Sequence, residues 1–311
     1  VTGARQLVQR VLPAAVSAVA LAWVLKRFEL GRLADALSWD VLLWLVPALL
    51  GYGAVTLLLE ALSILRLIER PPPGFGAWTA ARIKCASYLL AIVNYTLGGA
   101  ALTLLLRRRA ALPLGVAASV VLLVSMTDLV VVLGLGALGA ATIQAGGPTL
   151  RAGVAATAGL GFFAGLALLR APGSLGPLER LRTLSVFDAL RHTPASRLLE
   201  LLALRVIFCL AFFAVGGFAF QAFGIEISGA RLVLGMAIMA IVGALPIAVA
   251  GLGTGQIAAV YVFEGVATAE TLVALSLVLS AGLIALRAGM GILFAREFTR
   301  EALEQGREGA A

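Results

Sequence analysis

Asp128 needs explaining because of its place, in SVVLLVSMTDLVVVLGLG near the middle of an apolar run. A charge at the centre of a bilayer costs at least about 2.5–3.5 kcal/mol on insertion scales. This carboxyl must therefore face a polar cavity or the interior of a helix bundle, or carry a proton. There it could act as a proton relay; a protonated carboxyl hydrogen-bonded to a neighbouring helix is the alternative. Arg287, in LIALRAGMG, is a candidate counter-charge, and it could equally extend along its helix towards the headgroups. Glu264 closes an apolar stretch, and Glu60 and Arg205 lie a turn or two inside the ends of theirs, positions that suit the membrane interface.

A second set of polar residues gathers where apolar runs are interrupted. Asn94, Tyr95 and Thr96 precede the pair Gly98 and Gly99. In GALPIAVAGLGTG, Pro246, Gly251, Gly253 and Gly255 break a run, with Thr254 and Gln256 beside the glycines. A broken helix exposes backbone N–H and C=O groups, and small or amide side chains complete such a polar pocket. The alternative is close helix packing, since glycine also lets helices approach; Gly161 and Gly165 read that way. The candidate binding set is Asn94, Tyr95, Thr96, Gly98, Gly99 and Asp128 with Pro246, Gly251, Gly253, Thr254, Gln256 and Arg287, where the tips of the two interruptions would meet near mid-membrane. With one formal charge at the tips themselves, hydrogen bonds rather than ion pairs are expected to select a ligand, with weak salt dependence.

Enzyme chemistry finds little support. The one histidine, His192, sits beside Thr193 and Pro194 and reads as a surface residue. No Ser-His-Asp set, zinc ligand spacing or paired carboxylate motif occurs, so neither catalytic residues nor a metal or cofactor is expected. GLGTG lacks the lysine and preceding strand of a phosphate loop. Cys85 and Cys209 lie inside apolar runs and read as small buried residues rather than a disulfide.

The elements that must position these residues follow from composition. Hydrophobic residues make up 61% of the chain and charged residues 13%, with a mean hydropathy of +1.03. No soluble core could bury so much apolar surface, which excludes a water-soluble enzyme. Apolar runs lie near 11–26, 41–65, 85–106, 110–142, 152–169, 198–223, 231–249, 252–267 and 269–295; most match the ~20 residues of a transmembrane helix, and the alternating segments of a β-barrel are absent. The run from Val11 to Leu25 carries no cleavage pattern and is expected to remain as a span. The net charge of +8 comes from basic residues between apolar runs, which points to anionic headgroups rather than nucleic acid. The cluster Arg107, Arg108 and Arg109 reads as an interfacial anchor.

Positive charge then selects a topology. With a cytoplasmic N-terminus and 85–106 as a hairpin that enters and leaves on one side, 17 of the 24 basic residues are cytoplasmic and 5 outside. The expected fold is an all-α polytopic membrane protein of six full spans and two opposed re-entrant helical hairpins, both termini cytoplasmic, in one transmembrane domain over 1–311. Halves 1–142 and 151–297 would form an inverted repeat, each running span, amphipathic linker (28–40, 174–195), span, hairpin, span, with 298–311 as a cytoplasmic tail.

The sequence resembles the transmembrane, flippase-like domain of lysylphosphatidylglycerol synthases, which also occurs as a stand-alone prokaryotic membrane protein, over nearly its whole length. In NYTLGGAALTLLLRRR, Asn94, Gly99 and the arginines match the family's first hairpin, with Gly98 where proline is usual; in PIAVAGLGTGQ, Pro246, Gly251, Leu252 and Gly253 match the second, with Gly255 and Gln256 in place of Arg and Glu. An Asp in the following span matches Asp128. The resemblance implies an inner-membrane protein that translocates polar-headed lipids or assists a lipid-modifying enzyme, with membrane lipids as partners. The lost hairpin charges imply a headgroup less charged than an aminoacylated phospholipid. The aminoacyl-transferase domain has no counterpart in these residues, so lysylphosphatidylglycerol synthesis is not expected of them. A proton-coupled solute carrier and a non-catalytic membrane partner are the other readings. A lipid translocase should have a cavity open sideways to the bilayer, a solute carrier a closed one, and a passive partner a packed centre.

Overall fold

The computed structural model describes residues 38–68, 71–93, 95–142, 164, 166–170, 179, 183–244 and 254–295. The described residues are helical: α1 Trp39–Leu67, α2 Ala77–Ala91, α3 Tyr95–Arg109, α4 Leu114–Thr142, a 3-10 turn Ser185–Phe187, α5 Asp188–His192, α6 Ala195–Ala222, α7 Gly229–Ala244, α8 Thr254–Val262 and α9 Ala269–Leu293. Four of them, α1, α4, α6 and α9, are long and apolar enough to cross a membrane. The runs 11–26 and 152–169, expected as the other two spans, lie outside the described residues apart from a helical stretch over 166–170.

Local chemistry sets the ends. Ser38 caps α1 by accepting from the Val41 amide at 3.2 Å, and Thr268 caps α9 through the Thr271 amide at 3.3 Å. At the end of α6, Gly224 takes a left-handed φ of 66°, and the Ile225 amide donates to the Phe220 carbonyl at 2.9 Å. The linker 174–195, expected as an amphipathic helix, is from residue 183 onwards a 3-10 turn and the five-residue α5. Thr193 turns out of α5 at its C-cap with an extended backbone, and Pro194 caps α6. The Ala189 amide donates to Ser119 Oγ at 3.1 Å, which pins this segment to the start of α4.

Helices α2 and α3 have 15 residues each, about 22 Å at 1.5 Å per residue, too short for a hydrocarbon core of about 30 Å. They pack on each other, with α2 leading into a turn at 92–93. The expected interruption is therefore real, but the glycine pair does not make it. The chain turns before Tyr95, and Gly98 and Gly99 lie inside α3. Gly98 serves contact instead: a methyl group there would stand 2.8 Å from the Ala91 Cα of α2.

The order long, short, short, long occurs twice, as α1–α4 and as α6–α9. Packing follows the same rule. α1 lies on α6, while α2 lies on α9 and α7 on α4. Each remaining contact in one set also has its counterpart in the other, α1 with α2 as α6 with α7, and α3 with α4 as α8 with α9. α1 and α6 are antiparallel: Trp44 stacks near Phe218 at 6.4 Å, Tyr52 meets Phe212 at 6.3 Å, and Arg66 pairs with Glu200 at 3.5 Å. α1 and α9 are parallel, since Leu49 packs at Gly282 and Gly53 at Leu286 and Met290. The two counterpart crossings are antiparallel and close. Gly139 approaches Leu234 and Ala230 of α7, and Gly291 approaches Leu89 and Cys85 of α2.

Two apolar clusters form the interior. One joins Ile64, Ile83, Leu105, Leu123 and Leu201 around the C-terminal half of α1. The other joins Leu45, Phe213, Phe220, Met236, Phe263 and Leu275 around its N-terminal half. The buried charges lie between them. Cys85 and Cys209 are buried free thiols, as expected, and His192 lies at the surface, 3.0 Å from Asp188 Oδ1.

Candidate functional site

Arg205 is fully buried on α6. It lies about 15 Å along the helix axis from the start of α6, too deep for an interfacial residue. Its guanidinium meets Glu60 of α1 through Nη1 at 3.4 Å and Nη2 at 3.5 Å. Nη2 also donates to Ser63 Oγ and to the Leu59 carbonyl at 3.4 Å. The Phe208 ring lies 5.1 Å from the guanidinium carbon. Nη1 stands 3.6 Å from Asp128 Oδ1 of α4, an ion pair without a direct hydrogen bond. Lys84 of α2 completes the group, its Nζ 3.0 Å from Glu60 Oε1.

Glu60 thus binds two cations, and Arg205 two carboxylates. A lone charge at this depth would be costly, and the chain compensates by pairing each one. The expected place of Glu60 and Arg205 at the membrane interface does not hold, because the helices that carry them pack on each other and bury opposite charges at one depth. Asp128 faces the interior, as the cost of a mid-span charge requires, but its counter-charge is Arg205 and not Arg287.

Beside this network lies a cavity of about 140 Å³. The α2–α3 hairpin forms one wall with Lys84, Ser87, Tyr88, Tyr95, Gly98 and Gly99, and the opposite side comes from Tyr52, Thr56 and Glu60 of α1, Ser125 and Asp128 of α4, and Arg287 of α9. Arg287 lies beside the Tyr52 hydroxyl. Tyr52 is close to the midpoint of α1, so Arg287 occupies mid-depth and does not reach for the headgroup level. Tyr95 stands near Ser125 across the hairpin tip.

Of the residues expected to bind, Tyr95, Gly98, Gly99, Asp128 and Arg287 surround this one cavity. Thr96 lies on α3 but not among its lining, and Thr254 and Gln256, in the first turn of α8, are not there either. Asn94, Pro246, Gly251 and Gly253 lie outside the described residues. The expectation of one formal charge fails: Glu60, Lys84, Asp128 and Arg287 all line the cavity, with Arg205 behind them. Sequence reasoning missed Lys84, Glu60 and Arg205 as a group. The available signal was depth, since an arginine this far inside LLALRVIFCL must find a carboxylate at its own level.

Tyr52 has a second face. It also borders an apolar groove of about 520 Å³ between α1 and α6, lined by Leu43, Trp44, Pro47, Val55, Ala214 and Phe218 among others. Leu43 and Trp44 are exposed there. One side chain therefore divides a charged cavity from an apolar channel on the outer surface of the bundle.

No curated protein and no solved structure matches the chain. The family described as Lysylphosphatidylglycerol synthase TM region matches residues 10–285. With its spanning helices and that match over most of its length, this multi-pass membrane protein belongs to the lysylphosphatidylglycerol synthase transmembrane-region family.

Proposed function

We propose that the chain is a lipid translocase, which takes a polar headgroup into the charged cavity while the acyl chains stay in the bilayer. The observation that carries this reading is Tyr52, the common wall of the cavity and the apolar α1–α6 groove. A lipid needs both environments side by side, polar for its head and apolar for its tails. A sealed solute carrier has no use for the groove, and a passive partner has none for the cavity. The chain acts on lipid position and performs no covalent chemistry; its partners are membrane lipids.

The architecture that goes with this function has six spans and two re-entrant hairpins related as an inverted repeat. Support comes from the matched packing of α1–α4 and α6–α9 and from the antiparallel α1 and α6. With α1 pointing up, α2, α3 and α4 run down, up and down, while α6, α7 and α9 run down, up and up. The α2–α3 hairpin then starts from the end where α1 finishes, and α7 from the opposite end. Arg66, Arg107, Arg108, Arg191 and Arg197 gather at the first end, whereas Asp40, Glu226, Glu264 and Glu270 share the second with Arg231. On the positive-inside rule we take the first end as cytoplasmic, and we place the chain in the inner membrane of a prokaryote.

The test is transbilayer movement of headgroup-labelled phospholipids in proteoliposomes, read by quenching of the outer leaflet with dithionite. Purified protein should make most of the label accessible within minutes, against about half in protein-free vesicles. Gly98→Val, which forces the hairpin helices apart, should abolish the gain. No difference between protein and protein-free vesicles would sink the reading.

A further inference from the structure

The charges around the cavity do not cancel. Glu60 and Asp128 are matched by Lys84 and Arg205 through contacts of 3.0, 3.4 and 3.6 Å. Arg287 remains. No carboxylate lies within 4 Å of it among the described residues, and the neutral Tyr52 hydroxyl is the polar group beside it. A guanidinium stays charged under all physiological conditions. At mid-depth, without a counter-ion among the described residues, it is a costly group to retain, and it has the planar donor fork that suits a phosphate or carboxylate.

We infer that Arg287 binds the anionic group of the ligand, and that the cavity selects a lipid with a net negative, phosphate-bearing headgroup. This rests on the reading of the cavity as a lipid site and narrows its substrate class. The surroundings fit a phosphodiester. The Tyr52 hydroxyl lies beside Arg287, and Tyr88, Tyr95 and Ser125 offer hydroxyls from the hairpin and α4. Glu60 and Asp128 repel a second anionic group but are screened by their own cations. An aminoacylated headgroup would instead bring a cation to a cavity that already holds an unmatched one. The apolar groove beyond Tyr52 gives the acyl chains a place at the same depth.

The experiment uses the purified full chain with an equimolar mixture of phosphatidylglycerol, phosphatidylcholine and an uncharged diglucosyl diacylglycerol, all with the same acyl chains. Bound lipid is read by native mass spectrometry. Phosphatidylglycerol should dominate, the zwitterionic lipid should follow, and the glycolipid should come last. Arg287→Gln should reduce the preference for phosphatidylglycerol over the glycolipid by about tenfold, the scale of one hydrogen bond to a charged group. Arg287→Lys, which keeps the charge, should restore most of it and controls for folding. Equal occupancy by all three lipids, or an unchanged preference in Arg287→Gln, would overturn the inference. Displacement of the lipid by soluble glycerol phosphate at millimolar concentration would keep the anion site and overturn a lipid as its source. Translocation measured on the same preparations separates the two readings. Preference without movement would defeat the translocase and leave the anion site standing, whereas movement without preference would do the reverse.

Discussion

Glu60 holds two cations inside an apolar bundle, and that makes the network asymmetric. Removing Glu60 takes the closer carboxylate from Arg205, which has no exposed surface and keeps only Asp128 at 3.6 Å, and leaves Lys84 without its carboxylate. Glu60→Leu should therefore destabilise the protein by about 3–5 kcal/mol, the usual loss when one partner of a buried pair is deleted. Lys84→Met leaves Glu60 with Arg205 and should cost less. Adding Arg205→Leu to Glu60→Leu should recover part of the loss, because the fully buried guanidinium is gone and only the partly accessible Lys84 and Asp128 are left without their partners. Equilibrium unfolding in mixed micelles would measure all three. A double variant as damaged as the sum of its single variants would show that the charges do not act as a unit. This is also where the sequence was least legible. Asp128 could be singled out by its position in one run, but its partner sits 77 residues away on another helix. Nothing in the chain order says which helices become neighbours.

At the scale of elements, the hairpin depends on adjacent glycines with different duties. A methyl group at Gly98 would stand 2.8 Å from the Ala91 Cα, whereas one at Gly99 would rest 3.7 Å from Val121 Cγ1. Gly98→Ala should cost about 1–3 kcal/mol through overpacking and slow translocation, while Gly99→Ala should be close to neutral in both. Equal effects in thermal unfolding and transport would mean that the α2–α3 contact is looser than described. The same logic applies to the α4–α7 crossing. A methyl group at Gly139 would meet the Leu234 amide nitrogen at 2.8 Å and the Ala230 carbonyl oxygen at 2.9 Å, while Gly134 has open space. Gly139→Ala should lower the melting temperature and Gly134→Ala should not. The long apolar runs and the turn near Asn94 could be read from composition, hydropathy and a polar interruption. The role of the glycine pair could not, because a glycine that breaks a helix and one that admits a neighbour look alike until the neighbour is known.

For the whole molecule, the matched packing of α1–α4 and α6–α9 was foreshadowed by charge bookkeeping rather than residue identity. Among the described residues, Arg66, Arg107, Arg108, Arg191 and Arg197, assigned to one side in advance, lie at helix ends that the packing brings to one end of the bundle. The expected meeting of both hairpin tips falls on residues 245–253, which lie outside the described residues; the described cavity is lined by the first hairpin with α1, α4 and α9. Cysteines at the exposed positions 108 and 226 should react with impermeant thiol reagents from opposite sides of the membrane, position 108 from the cytoplasm. Reaction of both from one side would break the opposed arrangement of the halves.

In the proposed translocation a lipid headgroup enters the cavity beside Tyr52. A phospholipid carrying a photoreactive diazirine on its headgroup tests it most directly, with the protein in vesicles and the adducts located by peptide mass spectrometry. Adducts should fall on the cavity segments that contain Tyr88, Tyr95 and Ser125, and excess unlabelled phosphatidylglycerol should compete them away. Adducts confined to the helix ends, around Arg107 to Arg109 or Glu226, would mean that headgroups never leave the interface and would contradict the claim.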